Sequence, residues 1–211
     1  MARYIDSVCK LCRREGEKLY LKGARCDSPK CAVERRKTAP GMHGMKRGKL
    51  SEYGLRLREK QKLKRFYGVL ERPFRRFFEL ASRSPTNTGE QLLVLLERRL
   101  DNIIHRLGFA MSRAAARQLV THGHVQVNGR RCNIPSFLVK ANDVINVRDR
   151  KESREIVKLS FSQNPPACPD YLQRTSEEPP EGKVLRLPSR DDVDPRIKHI
   201  NEQLIIEIST R

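Results

Sequence analysis

Apolar positions recur along the chain with two different periods, and the changes of period mark out its elements. In residues 51–70, SEYGLRLREKQKLKRFYGVL, the apolar positions thin to an edge of Leu63, Phe66 and Tyr67 beside a run of cations. That pattern predicts a basic helix capped by Ser51. The next stretch, ERPFRRFFELAS (71–82), sets Phe74, Phe77, Phe78 and Ala81 at helical spacing with Pro73 in the first turn, so these aromatics read as core. After a polar loop at 82–89, QLLVLLERRLDNIIHRLG (91–108) carries Leu93, Leu96, Leu100, Ile103, Ile104 and Leu107 on one helical face up to a stop at Gly108. MSRAAARQLVTHG (111–123) predicts a shorter helix from an N-cap at Ser112 to Gly123. Its Ala115, Leu119 and Val120 turn inward, and Arg113 and Arg117, four apart, share an exposed face.

The period then falls to two. HVQVNGRRC (124–132) alternates Val125 and Val127 into Asn128-Gly129, a hairpin signal, and VINV (144–147) adds a further strand. Residues 163–182, rich in proline and acid, read as a linker, and the apolar stretches 184–188 and 202–209 read as paired strands. Near the start, KLYLK (18–22) alternates like a short strand and 26–29 like a tight turn. The fold class is therefore α+β: an N-terminal knot, a mainly helical middle, a compact module of short helices with a small β-sheet, and a C-terminal β-hairpin. The corresponding segments are 1–45, 46–98, 99–162 and 163–211, the last packing back on the body.

Charge narrows what such a fold meets. The 211 residues carry a net charge of +19, unevenly spread: +14 over 1–80, +7 over 81–162 and −2 over 163–211. A field of that size attracts polyanions, because neutralising phosphates releases condensed counterions. The longest aliphatic run, LLVLL at 92–96, is far short of a bilayer span, and MARYIDSVC lacks the apolar core of a secretory signal. Nucleic acid is favoured over membrane. Candidate phosphate ligands are Arg56, Arg58, Lys60, Lys62, Lys64 and Arg65 on the basic helix, and Arg72 and Arg76 outside the aromatic stripe of the next one. The stretch ERRKTAPGMHGMKRGK (34–49) adds glycines at 41, 44 and 48 that let backbone approach phosphates, and His43 reads there as a loop or RNA contact.

Four of the six cysteines follow the spacing C-x2-C-x13-C-x4-C: Cys9, Cys12, Cys26 and Cys31. Two close pairs joined by a returning loop suit a tetrahedral metal site. Disulfides, a redox pair and ordinary buried thiols compete with that reading, but no secretory signal or strand–helix alternation accompanies the motif. Zinc is the default ion, and an iron–sulfur cluster remains the alternative. Four cysteines fill the shell, so the site is structural, and Lys10, Arg13, Arg14, Arg25 and Lys30 offset its negative charge. HGH at 122–124 reads as a helix end running into a strand rather than a ligand pair. The three aspartates of 189–195 read as an acidic loop, and Cys132 and Cys168 as ordinary thiols.

The run RLDNIIHRLGFAMSRAAARQLVTHGHVQVNG (99–129) resembles the signature of the ribosomal small-subunit S-four family and of the RNA-binding domain named after it. ARYIDSVCKLCRREGEKLYLKG, PGMHG, LREKQKLKR and NEQLIIEISTR are also similar to the bacterial type of that family, so the resemblance spans nearly the whole chain. It implies a non-enzymatic component of the small ribosomal subunit that binds 16S-type rRNA early and organises assembly. It further implies contact with the neighbouring protein S-five, a place near the mRNA entrance, an influence on decoding accuracy, and a cytoplasmic or organellar ribosome as location. No membrane or small-molecule substrate is implied. Family RNA-facing positions correspond to Arg3, Arg13, Arg14, Lys22, Arg35, Arg36, His43, Lys46 and Arg47, and in the later module to Ser112, Arg113, Arg117, Gln118, His122 and Asn128. The same domain occurs in RNA-modifying enzymes, and a zinc-finger regulator of nucleic acid is a further alternative. The tail of fewer than 50 residues leaves little room for a catalytic domain.

Overall fold

A computed structural model of the chain describes residues 3–45, 48–163, 167–177 and 180–210. It divides into two units, Met1–Leu92 with Asp194–Arg211, and Leu93–Val193. The four segments expected from sequence thus reduce to two, and the 163–211 segment is shared between them.

In the first unit, α1 (Cys9–Glu15) ends at Gly16, whose φ of 80° lets its N–H return to Cys12 O at 2.9 Å. A single 3-10 turn (Gly23–Cys26) and the one-turn α2 (Ala32–Arg35) complete the N-terminal knot. The expected strand at 18–22 is absent, because Tyr20 takes a left-handed φ of 51° and 21–22 form a turn. Leu19 is instead folded into the interior. The turn at 26–29 is present: Ser28 Oγ donates to Arg25 O and accepts from Lys30 N. Helix α3 (Glu52–Phe66) starts as anticipated, with Ser51 Oγ accepting from Gly54 N at 3.1 Å. Helix α4 (Glu71–Ser82) buries Phe74, Phe77, Phe78 and Ala81.

Residues 202–209 form no strand. They form the C-terminal helix, running Glu202–Ser209, and no hairpin joins them to 184–188. Asn201 Oδ1 accepts from Gln203 N and Leu204 N, Glu202 favours the first turn, and Ile205 is buried. Capping and docking against α3 override the strand preference of the β-branched run.

The expected helix over 91–108 is two helices, α5 (Thr88–Glu97) and α6 (Leu100–Arg106). Its break has a partner: Arg98 O accepts from Val139 N, while Leu100 N and Asp101 N donate to Phe137 O and Pro135 O. The 135–139 segment thereby satisfies groups that a helix end leaves open. Helix α7 (Arg113–Thr121) follows, capped by Ser112 Oγ accepting from Ala115 N at 3.2 Å. The antiparallel sheet has the order β2-β1-β3-β5-β4, from β1 (Val125–Val127), β2 (Arg130–Arg131), β3 (Val144–Val147), β4 (Leu172–Glu177) and β5 (Pro180–Val184). Asn128 and Gly129, with φ of 50° and 74°, make the β1–β2 turn of the kind a two-residue hairpin needs. The expected linker therefore contains β4 and the start of β5, and the hairpin sits at 172–184. Helix α8 (Lys151–Ser162), unforeseen, covers the core. At Gly182 a Cβ would lie 2.7 Å from Leu107 Cδ2, so sheet and α6 meet with no room for a side chain. With α8 counted, the Glu202–Ser209 helix is α9.

Candidate nucleic-acid interface and cysteine site

The cations of α3 were expected to meet phosphate, but acidic residues both near and distant in sequence pair with them. Arg56 pairs with Glu207 and Glu52, Lys60 and Lys64 with Glu71, and Lys62 with Glu59 and Glu17. Arg58 and Arg65 both donate to Oε1 of Glu15, whose side chain is fully buried. All six α3 candidates are half-buried and internally paired. Arg72 and Arg76 on α4 stand exposed.

In the second unit the expected exposed pair on α7 is not exposed. Arg113 is buried and its Nε donates to Asn102 Oδ1 at 2.8 Å, while Arg117 reaches Asp101 Oδ2 at 3.5 Å. Asp101 also receives both the Nε and Nη2 of Arg99. Beside it, Glu97 Oε2 accepts from Asn102 Nδ2 at 2.6 Å and from the Tyr171 hydroxyl at 3.3 Å, with Arg106 Nε 3.8 Å away. Burial, then the Glu97 charge, pushes the Tyr171 hydroxyl well above its ordinary pKa, so it stays a proton donor. The helical face expected to meet solvent is therefore a buried polar network. Most of its members hydrogen-bond one another where unpaired charge is costly, and the buried Arg106 Nε makes an ion pair to Glu97 rather than a hydrogen bond.

Other candidates divide by exposure. Arg3, Arg14, Lys22, Arg35, Arg36, His43, Gln118, His122 and Asn128 are exposed. Lys46 and Arg47 lie outside the described residues. Arg13 holds the following loop, donating to Thr38 O and Ala39 O. Asn128 is committed to its own turn, donating to Asp143 Oδ1 and accepting from Val144 N, both at 2.9 Å. His122 caps α7, and His124 Nδ1 lies 2.8 Å from Ser153 Oγ. Burial and the neighbouring His122 lower the His124 pKa, keeping it neutral at physiological pH. Sequence reasoning passed over Arg130 and Arg131, exposed on β2. A Cβ at Gly123 would lie 2.3 Å from Arg131 Nη2, so the guanidinium lies across a glycine with a φ of 73°. The signal available was NGRR itself, a turn delivering two arginines to an edge strand.

The four spaced cysteines line one cavity of about 20 Å³, together with Lys22 and Arg25. Cys12, Cys26 and Cys31 are buried and Cys9 partly so. The N–H of Lys22 donates to Cys26 Sγ at 3.4 Å, and that of Leu19 to Cys12. Burial pushes the Cys12 thiol up to about 11, the other three sulfurs adding to the shift, and burial likewise raises Cys26. Four such groups lose their protons together only against a cation, so the donor set fits a divalent metal in kind. Among the described residues no group of three or more His, Cys, Asp or Glu side chains is arranged so that it could hold a metal ion. No described helix is long and apolar enough to cross a membrane.

Residues 3–97 match the family model described as Ribosomal protein S4/S9 N-terminal domain, and residues 98–145 match the S4 domain. Small ribosomal subunit protein uS4 of Pelotomaculum thermopropionicum is 57% identical over the whole of both chains. The proteins of the same name from Halothermothrix orenii and Clostridium tetani are 52% and 54% identical, again at full length. The chain belongs to the uS4 family of small-subunit ribosomal proteins.

Proposed function

We propose that the protein is a non-enzymatic structural component of the small ribosomal subunit that binds 16S-type rRNA and nucleates assembly of the subunit body. The observation that carries this reading is the distribution of cations after internal pairing. Arg14, Lys22, Arg35, Arg36, His43, Arg72 and Arg76 in the first unit, and Arg130 and Arg131 in the second, stand exposed. The paired cations of α3, the buried Arg113 and the half-buried Arg117 support these contacts by fixing the surfaces around them. Recognition is by phosphate and shape, since A-form grooves hide most base edges. In the same reading the protein lies beside protein S-five near the mRNA entrance of a cytoplasmic ribosome and influences decoding accuracy; family resemblance supports this part.

The proposal includes a structural zinc held by Cys9, Cys12, Cys26 and Cys31, supported by their shared cavity and the N–H groups directed at two of the sulfurs. The ion would supply a cross-link between α1, the 3-10 turn and the start of α2, with no open position for chemistry.

Filter binding of the full chain to small-subunit rRNA across a salt series tests the reading. Affinity should fall steeply with salt, and Arg130→Ala with Arg131→Ala should weaken it and flatten the slope by about one unit per lost phosphate contact. A flat salt response, or crosslinks in cells scattered over unrelated RNAs, would sink it.

A further inference from the structure

Asn128-Gly129 is the one Asn-Gly step in the chain, and both residues stand exposed in the turn between β1 and β2. The dipeptide carries its own chemistry. An asparagine side-chain carbonyl lies within reach of the next backbone nitrogen, and a following glycine has no side chain to obstruct the approach. A Cβ placed on Gly129 would meet nothing within 4 Å, so the space beside it is open.

The Asn128 amide, however, is held at both ends. Its Nδ2 donates to Asp143 Oδ1 and its Oδ1 accepts from Val144 N, both at 2.9 Å. The backbone N–H of Asn128 donates to Val144 O at 2.8 Å, which ties the main chain to the same partner. Asp143 is itself fixed, its Oδ2 accepting from Lys140 N at 2.7 Å. To bring its Cγ onto the nitrogen of Gly129, the Asn128 side chain must rotate about χ1 and release both of its bonds. One of the two goes to a carboxylate, the stronger kind of acceptor.

We propose that Asn128 is a deamidation site latched by Asp143: closed in the folded second unit, open when that unit unfolds or the latch is cut. In the open chain the Gly129 nitrogen attacks Asn128 Cγ, the Cγ–Nδ2 bond breaks, and ammonia leaves with the glycine amide proton. Water then opens the succinimide at either carbonyl, giving aspartate or isoaspartate. The product cannot latch again. A carboxylate replaces the Nδ2 donor opposite Asp143, so two like charges meet where a hydrogen bond stood. Isoaspartate also lengthens the main chain by one methylene beside the Val127–Arg130 pair of the hairpin.

Peptide mapping by mass spectrometry, on the full chain incubated in mildly alkaline buffer, tests the latch. Folded protein should deamidate at Asn128 about ten- to a hundredfold more slowly than the same chain unfolded in guanidinium chloride, from the two hydrogen bonds that must open. Asp143→Ala should speed the folded reaction about tenfold while the protein still unfolds cooperatively. Asp143→Asn keeps the shape and removes only the charge, and should give a smaller rise of about threefold. It decides the matter if Asp143→Ala fails to fold by circular dichroism. Equal rates in the folded and unfolded chain, or a folded rate unmoved by the Asp143 substitutions, would overturn the inference.

Discussion

The first 45 residues and the Leu93–Val193 unit are held together by different means. Among the described residues of the N-terminal segment the buried apolar side chains are Cys12, Leu19, Cys26, Cys31 and Ala39. Three of those five are cysteines, so without their sulfurs the segment has almost no core. The second unit instead closes a continuous apolar cluster from Leu100 through Ile104, Phe109, Val120 and Ile145 to Val184. It also buries a charged network around Glu97 and Asp101. A segment with so little apolar volume of its own would gain from the proposed metal cross-link, whereas a unit with a core can accommodate buried charge inside it.

The largest effect should separate the two regions completely. Chelation, or Cys12→Ser, should abolish hydrogen-exchange protection over residues 9–35 and open them to protease, while 93–193 keeps its protection. If both regions loosen together, the contrast is wrong. Glu97→Ala should do the reverse, costing about 3–5 kcal/mol in urea unfolding of the second unit by stranding Asn102 and Tyr171, with 9–35 untouched. Gly182→Val should cost about 1–3 kcal/mol from overpacking against Leu107, read in the same transition. Ser112→Ala should cost about 1 kcal/mol through the lost cap of α7, and less if the helix is held mainly by its packing.

The smallest effect is a pH dependence. Asp192 accepts from Arg186 and from the N–H and hydroxyl of Ser189. Burial opposes ionisation, but these partners outweigh it and hold the carboxyl at about 2, below its ordinary 3.8. The folded value is the lower one, so its stabilisation is present above about pH 4 and lost as pH falls toward 2. Asp192→Asn should flatten acid denaturation of the second unit over that window.

Much of this was legible where local chemistry decides. Ser51 and Ser112 cap their helices, Asn128-Gly129 turns its hairpin, and the Phe74–Ala81 stripe is core. The misreadings share a cause: a distant partner altered the local preference. The 91–108 period runs unbroken, yet 135–139 arrives to split it; EQLIIEIS looks like a strand until α3 offers it a helix groove. Helix α8 was hidden because its inward face carries Ser153 and Ser160, which bond His124 and Gly108 O in place of apolar contacts. The four spaced cysteines line one small cavity, which brings them together without showing the metal their spacing suggested. The arginines of α7 misled because the carboxylate and amide that bury them lie on α6, where periodicity says nothing of partners.

The pairing of Arg56 with Glu207 joins residues 151 positions apart. During synthesis, all of Leu93–Val193 is made before α9 exists. That region can therefore begin to fold while α3 still lacks its last neighbour. Once folded, it brings the ends of a long intervening chain under constraint, which lowers the entropy lost when α9 finally docks. The order of translation thus makes the first unit to begin the last to finish, with α9 as its closing clasp.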